Sequence, residues 1–548
     1  MEEILLQKPG KKIILLGNDA IVRGALESGV QFVTTYPGTP ASEVGNTFFR
    51  IAKQAGVYFE FSVNEKVALE AAAGASFSGL KTMVAMKNFG LNVASDFLLP
   101  LCYSGIKGEM VILVADDPSC WSSAQSEENT RGFAHLAHIP ILEPSDPQEC
   151  KDFTKLAFGL SKKFKLPIII RETTRVALQA APVRLEEIVK GTVRGKFVKN
   201  PHQFSTMPPR VLEMKNELLE KIAKIKQFSE KSPINQIDRG PSSIQLGIVT
   251  SGVSYLYVKE ALKELNINLP ILKLGFFHPL PEQKIKRFIG GLKKVLIVEE
   301  LEPYLEKEVE RLAKTANPKL QIFGKNVVPV TGELKPEHVI SAVSKLSGKK
   351  SKFNFFLNLK KFENLKPEKR FPQLCSGCPY WLTFSTIKRA APKGTIFGGE
   401  IGCYMLAAYP PHEMQDYLFC MGSSSSIAHG IMKAVPPSGG QKVIAFVGDS
   451  SFFHAGIPAL INTIYNKSNP LIIVMDNRTT AMTGQQPHPG APVEGEEIKI
   501  ENVARSLGVR HVKTLDPVNV KELEATVKEF LSKKEVSMIV VRRPCLRI

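Results

Sequence analysis

Short apolar runs alternate with longer amphipathic or alanine-rich segments along most of the chain. Residues 12–16 read as an apolar strand, 19–28 as a helix and 31–36 as a second strand. A helix over 67–78 and strands over 82–86, 111–115 and 167–170 continue the alternation. Strands separated by helices predict a doubly wound parallel sheet, since parallel neighbours need a crossover between them. From about 184 to 239 the chain turns polar and lysine-rich, with one amphipathic helix near 211–228. A second α/β unit follows, with apolar strands over 246–252, 270–276 and 293–300 and a helix over 255–265. It holds no obvious catalytic cluster, which suits assembly or spacing better than chemistry. A third α/β unit begins at Phe371, and no short-period repeat is present.

The expected organisation is therefore an α/β unit over 1–183, a basic connector with a helix over 184–240 and a smaller α/β unit over 241–345. A second basic connector over 346–370 and a third α/β unit over 371–548 complete it. A chain of 548 residues has room for three or four such cores. The 43% hydrophobic and 23% charged residues argue against long disorder, a fibre or a small disulfide scaffold. No run reaches the roughly 18–20 apolar residues that cross a bilayer. The opening MEEILLQKPGKK lacks the basic start and apolar stretch of a signal peptide, so a cytoplasmic protein with no membrane association is expected.

Charge complicates the picture, because 71 basic against 53 acidic residues leave a net +18. The excess is spread along the chain except at 344–370, where nine basic residues face only Glu363 and Glu368. That stretch reads as a solvated linker, and no nucleic-acid motif accompanies it. The surplus better suits an acidic protein partner than nucleic acid.

The strongest chemical signal is KVIAFVGDSSFFHAGIPALINTIYNKSNPLIIVMDN, residues 442–477. A buried strand ends at Gly448-Asp449-Ser450, a helix follows, and a second strand ends at Asp476-Asn477. Both polar pairs sit at the carboxyl ends of parallel strands, where open α/β sheets bind ligands. A carboxylate with an amide oxygen suits Mg²⁺, which completes its octahedron with phosphate and water, and Gly448 allows close backbone approach. The same residues are also ordinary turn formers. Eight cysteines stand at 102, 120, 150, 375, 378, 403, 420 and 545. In a cytosolic enzyme they point to metal or reactive sites rather than disulfides. The spacing of Cys375-Ser-Gly-Cys378 alone leaves zinc, iron–sulfur and a redox pair all open.

The Gly-Asp…Asn spacing resembles the thiamine diphosphate motif, and the following RTTAMTGQQPHPG resembles the large subunit of indolepyruvate ferredoxin oxidoreductases. Further blocks carry that resemblance through the chain: TYPGTPASE, SVNEKVALEAAAGAS, MKNFGLNVASD, VADDPS, ILEPSDPQE, LCSGCPY, IGCYML and CMGSSSSIAHG. Ser450 replaces the usual third glycine and Asp476 the usual first asparagine. The resemblance implies a thiamine-diphosphate-binding fold, with two doubly wound cofactor domains flanking a smaller domain like the C-terminal domain of transketolase. It assigns Mg²⁺ to Asp449, the Asn477 side chain and the Thr479 carbonyl. Cofactor-binding positions fall on Gly402, Cys403, Gly422, Gly448, Asp449, Ser450, Ser451, Asn477, Thr479 and Met482. Glu65 matches the glutamate that bonds the aminopyrimidine and drives its tautomerisation, a role that desolvation of a carboxyl favours. Read without the family, Glu65 is an acid at a helix start. Thr39 faces the substrate carboxylate or the thiazolium, or is simply a turn threonine before proline. Asn88 is a weaker candidate for the same cleft.

The resemblance also implies a [4Fe–4S] cluster on Cys375, Cys378, Cys403 and Cys545, with Cys420 the competitor for the fourth place. Cys102, Cys120 and Cys150 read as packing residues. His412, His429 and His488 read as packing or hydrogen-bonding groups, and His454 as a candidate cofactor contact. Large subunits of this family usually continue into a ferredoxin-like domain with two C-x2-C-x2-C-x3-C-P runs. Neither run occurs here, so electrons are expected to leave for a separate ferredoxin or another polypeptide. The implied reaction converts a 2-oxoacid, an aryl pyruvate such as indolepyruvate, and coenzyme A to acyl-CoA and CO₂. A smaller beta subunit is the implied partner, in a heterotetramer. Two alternatives stand beside it: a non-oxidative thiamine-dependent 2-oxoacid decarboxylase, and a basic binding protein on an inactivated scaffold.

Overall fold

The structure, a computed structural model, describes residues 2–191, 194–240, 245–350, 368, 370–434 and 441–548. The second basic connector therefore lies largely outside the described residues. Two compact units emerge: Met1–Glu60 with Glu65–Lys366, and Phe61–Asn64 with Pro367–Ile548.

The first unit contains a seven-stranded sheet ordered Phe276–His278, Ile141–Leu142, Ile168–Thr173, Met110–Asp116, Thr82–Lys87, Phe32–Thr35 and Tyr58–Phe61. The strands from Ile141–Leu142 to Phe32–Thr35 pair in parallel. Met110–Asp116 and Ile168–Thr173 are buried at every position, as their unbroken apolar runs require once helices cover both faces. Lys12–Leu16 does not join this sheet, contrary to the expectation from its apolar run. It forms a separate antiparallel ribbon with Ala180–Arg184. Its burial alternates, leaving Ile14 exposed, so the strand has one wet face and cannot serve as a central one.

A five-stranded sheet in the same unit runs Gln321–Phe323, Lys294–Val298, Leu246–Ser251, Ile271–Leu274 and Gln236–Asp238. The apolar run at 270–276, expected as one strand, is divided between two sheets. Ile271–Leu274 stays in the five-stranded sheet, and Phe276–His278 pairs antiparallel with Ile141–Leu142 of the larger one. The Asn235 Oδ1 accepts from the amides of Gly275 and Phe276, both at 3.0 Å, and so satisfies the backbone where the chain changes sheets. Arg131 ties the two sheets together. Its buried guanidinium donates to Glu143 through two 2.7 Å bonds, to Glu299 at 2.7 Å and to the Ser251 hydroxyl at 2.6 Å. In the first connector, helix Arg210–Lys231 buries Met214, Leu218 and Ile225.

The second unit is built on six strands, all parallel, in the order Tyr417–Leu418, Ile396–Gly399, Val443–Gly448, Leu471–Asp476, Ser537–Arg542 and His511–Leu515. After Ile396–Gly399 the chain moves outward to Tyr417–Leu418 and then returns to Val443–Gly448. The strand order thus reverses beside Gly399 and Gly448, which makes their carboxyl ends a ligand-binding crevice.

Candidate active site

Asp449 opens the helical segment that follows strand Val443–Gly448. Its Oδ2 accepts from the amides of Asn477 at 3.1 Å and Arg478 at 2.9 Å, and its Oδ1 from the Ser450 amide at 2.8 Å. The Asn477 Oδ1 in turn accepts from the Thr479 amide at 3.1 Å. Asp449, Asn477 and Thr479 are thereby brought together and buried. Arg478 takes a left-handed φ of 66° to aim its amide at Asp449, an uncommon conformation for a residue with a side chain. His488 stands on the other side, its Nε2 at 3.2 Å from Asp449 Oδ2. The Gly490 amide donates to His488 Nδ1 at 3.1 Å and holds the ring in place.

Beside this carboxylate the backbone is held open by Glu400, directly after strand Ile396–Gly399. Its fully buried carboxyl accepts from the Tyr404 hydroxyl at 2.8 Å, from the Gly448 amide at 3.3 Å and from the Gly422 amide. Burial pushes its pKa up to about 7. A methyl group on Gly448 would stand 2.9 Å from the Tyr404 ring, and one on Gly402 only 2.3 Å from it. Gly422, at φ 79°, presses against Ala455. Three glycines are thus required by close approach. Ser450 and Ser451 are buried on the same turn, whereas Met482 is exposed. A π-helical turn, Phe452–Gly456, interrupts the helix that carries Asp449 and presents His454, a local geometry often found at functional sites.

The cysteines adjoin this cradle. The Cys545 amide donates to the Asn477 carbonyl at 2.9 Å, and the Tyr380 hydroxyl, two residues after Cys378, donates to the Met475 carbonyl at 3.1 Å. The Cys375–Cys378 loop is therefore pinned to the strand that ends at Asp476. Burial, with the neighbouring Cys378, Cys545 and Cys375 acting the same way, pushes the Cys403 thiol up to about 12. Cys378 is raised by burial and then by Cys375 and Cys545. Cys375 and Cys420 are exposed. Among the described residues no three His, Cys, Asp or Glu side chains close up as they would around a single ion.

In the first unit, Glu65 begins helix Glu65–Phe77 and is buried. Its side chain lies against Gly90, where an added methyl would come within 2.5 Å of the Glu65 Cγ. Asn88 opens helix Asn88–Ser104; it is buried, and neither amide atom has a hydrogen-bond partner. The Thr39 hydroxyl lies 3.4 Å from that of Ser42, and its carbonyl accepts from the Ser122 hydroxyl at 3.2 Å. A buried amide without partners is costly in a finished core and suits a cleft that takes a ligand.

Known proteins match both halves. Residues 400–541 fit the thiamine pyrophosphate enzyme C-terminal TPP-binding domain, and residues 23–220 fit the thiamine-diphosphate-binding domain of pyruvate flavodoxin/ferredoxin oxidoreductases. Indolepyruvate oxidoreductase subunit IorA of Methanothermobacter thermautotrophicus is 43% identical over 100% of this chain and 89% of its own length. The subunit IorA of Pyrococcus horikoshii is 44% identical over 99% of this chain and 87% of its own. The chain belongs to the IorA subunit family of indolepyruvate oxidoreductases. It is an oxidoreductase subunit with a thiamine-diphosphate-binding fold, as its parallel α/β sheets bear out. A 2-oxoglutarate:ferredoxin oxidoreductase from Magnetococcus marinus shares the fold at a TM-score of 0.51 and 18% identity, over 62% of this chain and 66% of that one.

Glu400 and Lys87 stand among the predicted positions without a motif of their own. Glu400 precedes the Ile-Gly-Cys block, and only its isolation among glycines marks it. His488, expected as a packing or hydrogen-bonding residue, accepts from the Gly490 amide and stands 3.2 Å from Asp449. Lys87 lies beside Asn88 in MKNFG, and a lysine ending an apolar strand was the available signal.

Proposed function

We propose that this chain is the catalytic subunit of a 2-oxoacid oxidoreductase that acts on an aryl pyruvate such as indolepyruvate. The balanced reaction takes the 2-oxoacid anion and coenzyme A to acyl-CoA, CO₂ and one proton, with two electrons passed singly to ferredoxin. Thiamine diphosphate, when bound, supplies the carbon nucleophile and electron sink for decarboxylation. Asp449, Asn477 and the Thr479 carbonyl would hold its Mg²⁺. The donor set fits: one carboxylate and neutral oxygens leave room for phosphate and water. The amides of Ser450, Asn477 and Arg478 fix the carboxylate's orientation, and Gly402 and Gly448, packed against Tyr404, with Gly422, packed against Ala455, would shape the backbone around the diphosphate. On the first unit, Glu65 would hold and move the proton at the aminopyrimidine, while Thr39 and Asn88 line the cleft.

The single observation that carries the oxidative reading is the four-thiol set. The Cys375–Cys378 loop and Cys545 are both tied to the strand that ends at Asp476, through Tyr380 to the Met475 carbonyl and through the Cys545 amide to the Asn477 carbonyl, and with Cys403 these thiols would hold a [4Fe–4S] cluster. The Cys545 amide is bonded to the Asn477 carbonyl, so a cluster held in part by Cys545 would lie near the proposed Mg²⁺ residues. Among the described residues no helix is long and apolar enough to cross a membrane; we assign the enzyme to the cytoplasm, paired with a smaller beta subunit in a heterotetramer. The test is anaerobic co-expression with a candidate small subunit, then iron analysis and coenzyme A-dependent reduction of ferredoxin by several 2-oxoacids. About four irons per chain and fastest turnover with aryl pyruvates are expected. An iron-free complex that releases CO₂ and aldehyde would instead make it a simple decarboxylase.

A further inference from the structure

A 2-oxoacid carries its negative charge on the carboxylate, so a substrate site beside Thr39 and Asn88 would need a cation whose charge is not already spent. Arg131 does not qualify. Its guanidinium is buried, and Nε, Nη1 and Nη2 are all engaged by Glu143, Glu299 and Ser251. Lys87 is different.

Lys87 ends strand Thr82–Lys87, immediately before Asn88, and is buried. Its stem lies over the turn that carries Thr39: a methyl on Gly38 would stand 2.8 Å from the Lys87 Cβ. Its ammonium donates to the Ser122 carbonyl at 2.9 Å and is 5.2 Å from the centroid of the Phe89 ring. The Ser122 hydroxyl donates to the Thr39 carbonyl, so Lys87, Ser122 and Thr39 form one connected group.

The neighbouring carboxylate, Asp117, claims little of that charge. Its Oδ2 already accepts from the Ser122 amide at 2.9 Å and from the hydroxyls of Ser122 at 3.1 Å and Ser123 at 2.5 Å. Its Oδ1 accepts from the Thr174 hydroxyl at 2.8 Å. Lys87 reaches it only at 3.4 Å. Asp117 is thus satisfied largely by neutral donors. It offsets the cost of burying an ammonium without consuming it, and an ammonium has three N–H groups to give. The unpartnered amide of the adjacent Asn88 independently marks this place as one that takes a polar ligand.

We propose that Lys87 is the residue that binds the substrate's carboxylate and so confines the site to 2-oxoacids, an assignment that rests on the function proposed above. The ammonium would share one N–H with the incoming carboxylate while keeping its bonds to Ser122 and Asp117.

The test uses the complete complex loaded with thiamine diphosphate and Mg²⁺, comparing wild type with Lys87→Met and Lys87→Arg. Two readouts are taken: KM for an aryl pyruvate, and the calorimetric Kd of an unreactive aryl propionate, which needs no turnover. Loss of one charge-assisted bond corresponds to about 10–100-fold, so both constants are expected to rise by that factor in Lys87→Met and to recover in part in Lys87→Arg. The uncharged aryl propionamide should bind wild type and Lys87→Met alike, and the Kd of thiamine diphosphate should stay within about 3-fold, a pattern that a general loss of structure would not give. Equal binding of the aryl propionate by wild type and Lys87→Met, with turnover of the 2-oxoacid retained, overturns the assignment of Lys87 alone. Propionate binding that depends on Lys87, in a wild-type complex that oxidises no 2-oxoacid, supports the anion site and overturns the proposed function instead.

Discussion

Asp476 and Arg542 are register partners on neighbouring parallel strands, and the guanidinium Nε donates to the Asp476 carboxylate at 2.6 Å. Two further bonds, at 3.1 and 2.7 Å, carry Arg542 on to Glu501. Asp476 occupies the position where thiamine enzymes usually carry an asparagine, beside Asp449. An extra buried carboxylate there would repel Asp449, and Arg542 offsets it.

Removing the arginine should therefore expose that repulsion. Arg542→Ala is expected to cost roughly 2–4 kcal/mol of stability, because it leaves a buried carboxylate unpaired. It should also weaken Mg²⁺-dependent thiamine diphosphate binding. The double variant Asp476→Asn/Arg542→Ala should recover most of both losses. Urea denaturation and calorimetric titration of the cofactor on the four proteins of this cycle check the coupling. Losses that simply add would show that Arg542 acts independently of Asp476.

Gly90 and Glu65 support a second prediction, in the first unit. With an added methyl 2.5 Å from the Glu65 Cγ, Gly90→Ala cannot be accommodated unless that side chain moves. Gly90 lies inside a helix, where alanine is otherwise favoured by up to about 1 kcal/mol. The expected outcome is a small change in thermal midpoint together with at least a tenfold fall in kcat. A Gly90→Ala enzyme of normal activity would remove Glu65 from the proton-transfer role.

The strands of the second unit were legible because burial on both faces leaves no polar position to break the apolar run, as in VIAFVG and LIIVMD. The same logic misled at Lys12–Leu16. Five residues are too few to distinguish an alternating half-wet strand from a buried one when Ile14 happens to face solvent. The split of the 270–276 run depends on the Asn235 side chain, 40 residues away from Gly275, which no local pattern encodes. At the site, Asp449 and Asn477 could be read because one strand–helix–strand unit fixes their spacing. Glu400 and Lys87 could not, since each gains its meaning from partners on other elements: Gly448 and Ser122.

Cys545 and Cys420 compete for the fourth place, and Cys545, whose amide donates to the Asn477 carbonyl at 2.9 Å, is the proposed ligand. Cys545→Ser should lose most of the iron and the broad visible absorption of a cluster assembled anaerobically. Cys420→Ser should keep both. Iron per chain and the electron paramagnetic resonance of the reduced protein read the result, and the reverse pattern would exchange the two residues.

Glu172 makes the stability of the first unit depend on pH in a calculable direction. It is fully buried; its Oε1 has no hydrogen-bond partner, and desolvation, reinforced by Glu43, pushes its pKa from 4.5 up to about 8. Between those two values the folded chain keeps a proton that the unfolded chain has released. Stability is therefore greatest below about pH 4.5 for this group and falls as pH rises towards 8. Glu172→Gln keeps the shape of the protonated carboxyl at every pH. Its advantage over wild type should be near zero at pH 4.5–5, grow across the window, and level off above pH 8 at no more than a few kcal/mol. Glu300 and Glu400, both raised to about 7 by burial, titrate in the same range, but they are common to both proteins and cancel in the difference. Urea midpoints at pH 5, 6, 7 and 8 for the pair check the slope. An advantage that does not change with pH would mean that Glu172 is ionised throughout the range, and that the neighbouring Arg171, whose Nη2 has no hydrogen-bond partner, stabilises its charge after all.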